Sequence, residues 1–169
     1  MTKSSYKRWQ MLLFLLSLTV LGSSFYFQYI AGLAPCPLCL MQRLCVFLLV
    51  VVGFVGLLIN YLKAGKLLAV LQIGVALGGL FFAGRQLWLQ SLPGDQMPAC
   101  LPELDILVRY FPWRDVFHAL LWGAGDCAEI SWKWLGLTMP GWAALYFLFM
   151  SLTGAWIFWQ LNRIRRDVS

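Results

Sequence analysis

Four stretches of this chain are apolar for long enough to cross a bilayer, at about residues 9–29, 40–61, 67–89 and 142–161. A hydrocarbon core of about 30 Å takes ~20 residues of helix, and the backbone polar groups inside it must be satisfied internally. The expected fold is therefore all-α and integral to the membrane: an antiparallel four-helix transmembrane bundle, one domain over residues 1–169, with two extracytoplasmic loops at about 30–39 and 90–141. Composition excludes the soluble alternative. With 61% hydrophobic residues, 12% charged and a mean hydropathy of +0.75, a chain of 169 residues has too little interior to hide its apolar surface from water. The first run follows Lys3, Lys7 and Arg8, as a signal peptide would. Its apolar core is too long, and Ser23 and Ser24 make a weak cleavage site, so it reads as a retained anchor. Pro140 stands where the fourth helix can begin.

The net charge of +6 does not point to nucleic acid, because the basic residues form no single patch. They fall in three short segments: Lys3, Lys7 and Arg8; Lys63 and Lys66; Arg163, Arg165 and Arg166. By the positive-inside rule these segments share the cytoplasmic side, which places both termini there. The long second loop is net acidic, with Asp95, Glu103, Asp105, Asp115, Asp126 and Glu129 against Arg109, Arg114 and Lys133. Cys36, Cys39, Cys100 and Cys127 then all fall on the outer side, where disulfides persist.

Cys36-Pro37-Leu38-Cys39 opens the second apolar run. A CxxC spacing brings two thiols close enough for a small disulfide, and a helix N-terminus favours thiolate over thiol through its free amides and dipole. Arg43 lies four residues after Cys39, on the same helical face. Its charge is expected to favour the Cys39 thiolate and to hold a carbonyl oxygen. A dithiol beside a fixed cation at the mouth of a membrane helix suits electron transfer between proteins and something lipid-soluble. The bland readings of a bare CxxC are half a zinc site or a chance spacing.

In the second loop, Cys100 lies among Pro93, Pro98 and Pro102 in a turn-rich stretch expected to be mobile, and Gly123-Ala124-Gly125-Asp126 presents Cys127. Residues 104–122 are too polar to span and are expected to lie partly on the membrane surface. A Cys100–Cys127 disulfide would close a loop of nearly thirty residues, a staple worth about 3–4 kcal/mol in a chain-entropy estimate. Thiolate–disulfide exchange, the alternative to a staple, needs two such pairs within reach.

The motif Cys36-Pro-Leu-Cys39-Leu-Met-Gln-Arg43 resembles the C-x-L-C-x-x-x-R signature of the DsbB family, the bacterial disulfide bond formation membrane proteins. Gly125-Asp126-Cys127-Ala128-Glu129, the stretch from Trp134 to Trp142, and Gly84, Gln86 and Leu87 are also similar, so the resemblance covers nearly the whole chain. It implies a bacterial inner-membrane enzyme that reoxidises a DsbA-like, thioredoxin-fold periplasmic oxidant and passes the electrons to a membrane quinone, ubiquinone or menaquinone. It further implies that Cys100–Cys127 is the pair that meets the partner, through Cys100, and that Cys36–Cys39 reoxidises it by exchange between Cys36 and Cys127. Cys39 would then face the quinone, with Arg43 binding and polarising the ring. One departure stands out: some members carry a histidine near the end of the third span, where this chain reads Leu87-Trp88-Leu89-Gln90-Ser91.

Three other classes compete. A quinone-linked enzyme of the vitamin K epoxide reductase type also couples a helix-start CxxC to a quinone, but the Gly125-Asp126-Cys127 and Arg43 matches argue against it. A Cys₄ metal site is opposed by the location of one pair at a membrane mouth and the other in a mobile loop. A stapled structural subunit would resist reduction, whereas a relay cycles. Of the remaining residues, Arg85 reads as a snorkelling interfacial arginine. His118 has a surface or packing role, and Cys45 is a small buried apolar residue. Trp113, Trp122, Trp132 and Trp134 read as interface anchors.

Overall fold

The computed structural model describes residues 3–32, 35–59, 62–93, 110–123, 125–128, 130 and 132–166. Four long helices carry the chain: α1 (Lys3–Tyr29), α2 (Pro37–Leu58), α3 (Leu62–Gln90) and, after the second loop, α5 (Met139–Arg166). Each contains a stretch long and apolar enough to cross a membrane. Within the loop lie a short helix, α4 (Trp113–Trp122), a 3₁₀ turn (Gly125–Ala128), and an antiparallel hairpin of β1 (Lys133–Trp134) and β2 (Leu137–Thr138).

α2 begins at Pro37, whose missing N–H costs nothing at the first helical position. It ends at Leu58, short of the sequence expectation of residue 61. α5 begins at Met139, three residues before the expected start, with Pro140 in its first turn. α1 packs on α2, α2 on α3, and α3 on α5. The α3–α5 contact is close because Gly79 has no side chain; a Cβ there would lie 2.3 Å from the Phe147 ring, which is itself fully buried. Phe147, Met150, Leu49, Val46 and Cys45 belong to the main core. Leu15, Phe47, Phe54, Phe81 and Leu152 point outward, as a lipid-facing surface requires.

Some polar side chains inside the bundle find partners across helices. Tyr146 donates its hydroxyl to Ser17 Oγ at 2.7 Å, and Ser17 in turn donates to the Leu13 carbonyl. Gln72 donates to the Met150 carbonyl at 2.9 Å. Such bonds join helices where no hydrophobic drive separates one apolar partner from another. At the end of the bundle away from the CxxC, Lys66 Nζ donates to Asn162 Oδ1 at 2.6 Å, and Gly65 lies against Tyr6 and Leu161. The start of α1, the start of α3 and the end of α5 therefore share one end.

α4 is amphipathic, with Val116 and Ala119 buried and Trp113, Phe117 and Leu121 exposed. It packs on α2. His118 is exposed on it. Gly123 ends the helix at φ 79° and ψ 169°, a region open essentially to glycine alone. A Cβ there would lie 2.6 Å from Leu38 and 2.8 Å from Leu89, so the chain passes directly over both. Arg85, read from the sequence as a snorkelling interfacial arginine, has defined partners in the structure. Its Nε donates to the Trp122 carbonyl at 3.1 Å, and its guanidinium lies 4.1 Å and 5.5 Å from the Trp88 and Trp122 ring centres. An orphan carbonyl at a helix C-terminus is a natural target for a cation, and the two rings hold the guanidinium in place.

Candidate active site

Cys36 caps the N-terminus of α2 in extended conformation, and its sulfur accepts from the Cys39 backbone N–H at 3.4 Å. One turn of helix brings the two sulfurs to 2.7 Å from one another. The 3₁₀ turn delivers the third thiol. Cys127 is fully buried beside Leu38, Leu89, Ala128 and Cys36, beneath the point where Gly123 crosses α2 and α3. The Cys36 thiol is pushed up from its ordinary range, first by hydrogen bonding to Cys127, then by hydrogen bonding to Cys39 and by burial. The helix N-terminus alone would have lowered it; two neighbouring sulfurs that share its proton outweigh that effect. Cys100, the fourth expected thiol, lies outside the described residues. Cys45 is buried in the core away from this cluster.

The surroundings of Cys39 depart from the sequence expectation. Arg43 was expected to supply its charge to the sulfur. Among the described residues its hydrogen bonds go instead to α1: Nε to Ser24 Oγ at 2.9 Å, one terminal nitrogen to the Ser24 carbonyl at 3.3 Å, and the other to Gln28 Oε1. The Phe25 ring lies 4.9 Å beneath the guanidinium. The group that meets the sulfurs is Gln86 of α3, with Nε2 3.3 Å from Cys39 Sγ and 3.5 Å from Cys36 Sγ. Gln42 Nε2 donates to Gln86 Oε1 at 2.8 Å, the oxygen of the same amide. In the sequence Gln86 is only a point of resemblance; a polar residue within an apolar span is the signal that marks it.

Cys39, Arg43 and Gln86 line one end of a cavity of about 550 Å³. Ser23, Ser24 and Gln42 also line it, and the rest of its wall is mainly apolar: Val20, Leu21 and Phe27 of α1, Val46 of α2, and Ala143, Tyr146 and Phe147 of α5. Trp132, Trp134 and Trp142 line it as well. Trp132 lies 5.3 Å from Phe27, and Trp142 Nε1 donates to the Trp134 carbonyl at 3.3 Å. Trp132 and Trp134 thus wall a cavity as well as sitting at an interface. The hairpin that carries Trp134 turns through Leu135 and Gly136, both at positive φ. This is the geometry a two-residue hairpin requires, here with a leucine where glycine or asparagine is usual. Leu16, Leu145 and Phe149 also line the cavity and are exposed on the outside of the bundle, so the cavity wall is continuous with the lipid-facing surface between α1 and α5.

The profile of the family described as "DsbB: Disulfide bond formation protein DsbB" matches residues 6–157. A "Disulfide bond formation protein B" of Marinobacter nauticus is 42% identical over 155 residues, covering 86% of this chain and 88% of its own. That of Hahella chejuensis is 42% identical over 155 residues, covering 91% and 93%. That of Methylococcus capsulatus is 37% identical over 164 residues, covering 96% of this chain and 100% of its own.

Proposed function

From the premise that this chain belongs to the DsbB family and is a multi-pass membrane disulfide oxidoreductase, we propose that it reoxidises a DsbA-like periplasmic thiol oxidant and passes the electrons to a membrane quinone. The observation that carries this reading is the juxtaposition at the head of α2. Three thiols cluster there, and one of them, Cys39, opens on an apolar cavity in contact with the lipid-facing surface. The cavity suits a flat apolar ring with carbonyl oxygens. Its volume lies in the range of small-molecule sites, its walls are aliphatic and aromatic, and its polar groups converge at one end. A bound quinone supplies a two-electron, two-proton acceptor.

The chain's own residues supply the rest. Cys100–Cys127 receives the electron pair from the partner's dithiol and becomes two thiols. The Cys127 thiolate then attacks Cys36 Sγ; the Cys36–Cys39 bond breaks, a Cys127–Cys36 bond forms, and the electron pair leaves on Cys39. Attack by Cys100 on Cys127 releases Cys36, so that Cys100–Cys127 is restored and Cys36 and Cys39 are the dithiol to be reoxidised. Arg43, held by Ser24, Gln28 and Phe25, presents a fixed positive charge to the cavity where a carbonyl oxygen gains negative charge. The ends of the bundle take opposite sides of the bacterial inner membrane. The end formed by Tyr6, Lys66 and Asn162 is cytoplasmic by its lysines and arginines, and the cysteine end is periplasmic.

The test is turnover with purified protein in lipid nanodiscs, a reduced thioredoxin-fold oxidant and either ubiquinone or menaquinone. Many equivalents of partner should be oxidised per enzyme, only with quinone present. Partner oxidation that stops at the thiol stoichiometry of the enzyme, whichever quinone is added, sinks the reading.

A further inference from the structure

Gln86 is 4% exposed and touches both sulfurs of the CxxC pair. In the structure Gln86 Oε1 accepts from Gln42 Nε2 at 2.8 Å, and Gln86 Nε2 faces Cys39 and Cys36. We propose that Gln86 is a catalytic residue of the relay: its amide N–H holds the negative charge that Cys39 acquires when the Cys36–Cys39 disulfide opens.

The geometry serves both states of the sulfur. As a thiolate, Cys39 accepts from Nε2 at 3.3 Å. As a thiol, it donates to Oε1 of the same amide, 3.6 Å away. A neutral amide therefore meets the sulfur before and after ionisation, without the cost of an extra charge in an apolar site. Arg43 has donors only, and among the described residues the hydrogen bonds it makes go to α1, so the two residues divide the work between sulfur and cavity. The chemical step is the exchange written above: the Cys127–Cys36 bond forms, the Cys36–Cys39 bond breaks, and the departing electron pair rests on Cys39 beside Nε2. The inference rests on the proposed relay only for Cys39 being the sulfur released.

The test uses full-length protein in which Cys39 is the sole cysteine, the others being serine, and follows its alkylation by iodoacetamide against pH without quinone. Gln86→Leu is expected to slow alkylation about tenfold near neutral pH, the loss vanishing in strong alkali where the thiol ionises unaided. Gln86→Met keeps the length and removes the donor, and is expected to show the same neutral-pH deficit. Gln42→Leu, which frees the amide to turn, should give a smaller deficit. A structural role would slow alkylation equally at every pH. That outcome in Gln86→Leu, or an unchanged pH profile in Gln86→Met, overturns the assignment. Oxidation of wild-type protein by quinone is scored separately, so failure of the quinone reading and failure of the Gln86 assignment give different results.

Discussion

The two sides of the CxxC pair are built from different materials. On the cavity side, Cys39, Arg43 and Gln86 all project from long helices, and each is tied to a neighbouring helix by side-chain hydrogen bonds. On the other side, Cys127 sits in a four-residue 3₁₀ turn, held over α2 and α3 by the passage of Gly123 across Leu38 and Leu89 and by the grip of Arg85 on Trp122. Helix-borne groups keep sub-ångström geometry through a reaction. A turn held by a few contacts can leave and return at small cost. The proposed relay would use both: a fixed site beside the cavity around Cys39, and a docked turn whose Cys127 exchanges with Cys36 and then with Cys100.

The contrast is sharpest in the cysteines. Cys39→Ser should bring steady turnover with quinone to background. Cys127→Ala should also end turnover, yet leave Cys36–Cys39 oxidisable by quinone in a single-turnover assay by rapid mixing. If Cys127→Ala blocks that half-reaction too, the two sides are not separable.

Arg43→Ala probes the cavity side alone. Loss of a preorganised charge at a developing oxyanion costs about 3–4 kcal/mol, or roughly 10²–10³ in rate. The expected result is a lower kcat and higher KM for quinone, with exchange between the enzyme and the soluble partner near normal. Lysine should restore only part, because it loses the fork that reaches Ser24 and Gln28 together. Equal slowing of both half-reactions would make Arg43 an anchor of α1 to α2 and nothing more.

Gly123→Ala probes the docked side. The side chain meets Leu38 and a backbone conformation that alanine avoids, a strain of about 1–3 kcal/mol. Exchange between Cys127 and Cys36, followed by acid-quench mapping of disulfides, should slow by roughly 5–150-fold, while quinone oxidation of Cys36–Cys39 stays unchanged. Arg85→Gln should act in the same direction more weakly, by about fivefold, through loss of one hydrogen bond and the ring contacts.

The smallest effect concerns pH. The Cys36 thiol is raised chiefly because it shares its proton with Cys127. Removing that partner with Cys127→Ala should lower the pH at which Cys36 of the reduced protein becomes reactive to alkylation. An upward movement would show that burial, and not the sulfur contact, governs Cys36.

The sequence by itself determined the four spans, because length and continuous apolarity are properties of each run alone, and water or lipid reads them without reference to the rest of the chain. It determined the N-terminal position of the CxxC, since Cys36 as cap and Pro37 at the first helical position are local choices. It determined that Arg43 shares a face with Cys39, which follows from helical period. Where that arginine points was decided by packing: Ser24 and Gln28 sit on another helix, and only the α1–α2 contact brings them to it. Gln86 reaches the sulfurs across 47 and 50 residues of chain, through the register of α3 on α2. The tryptophan hairpin was hidden because its turn places Leu135 at positive φ, where a leucine carries no turn signal in the sequence. Local free energy writes the helices and their caps. The partners of a buried polar side chain are written by which helices meet, and that is a property of the folded bundle.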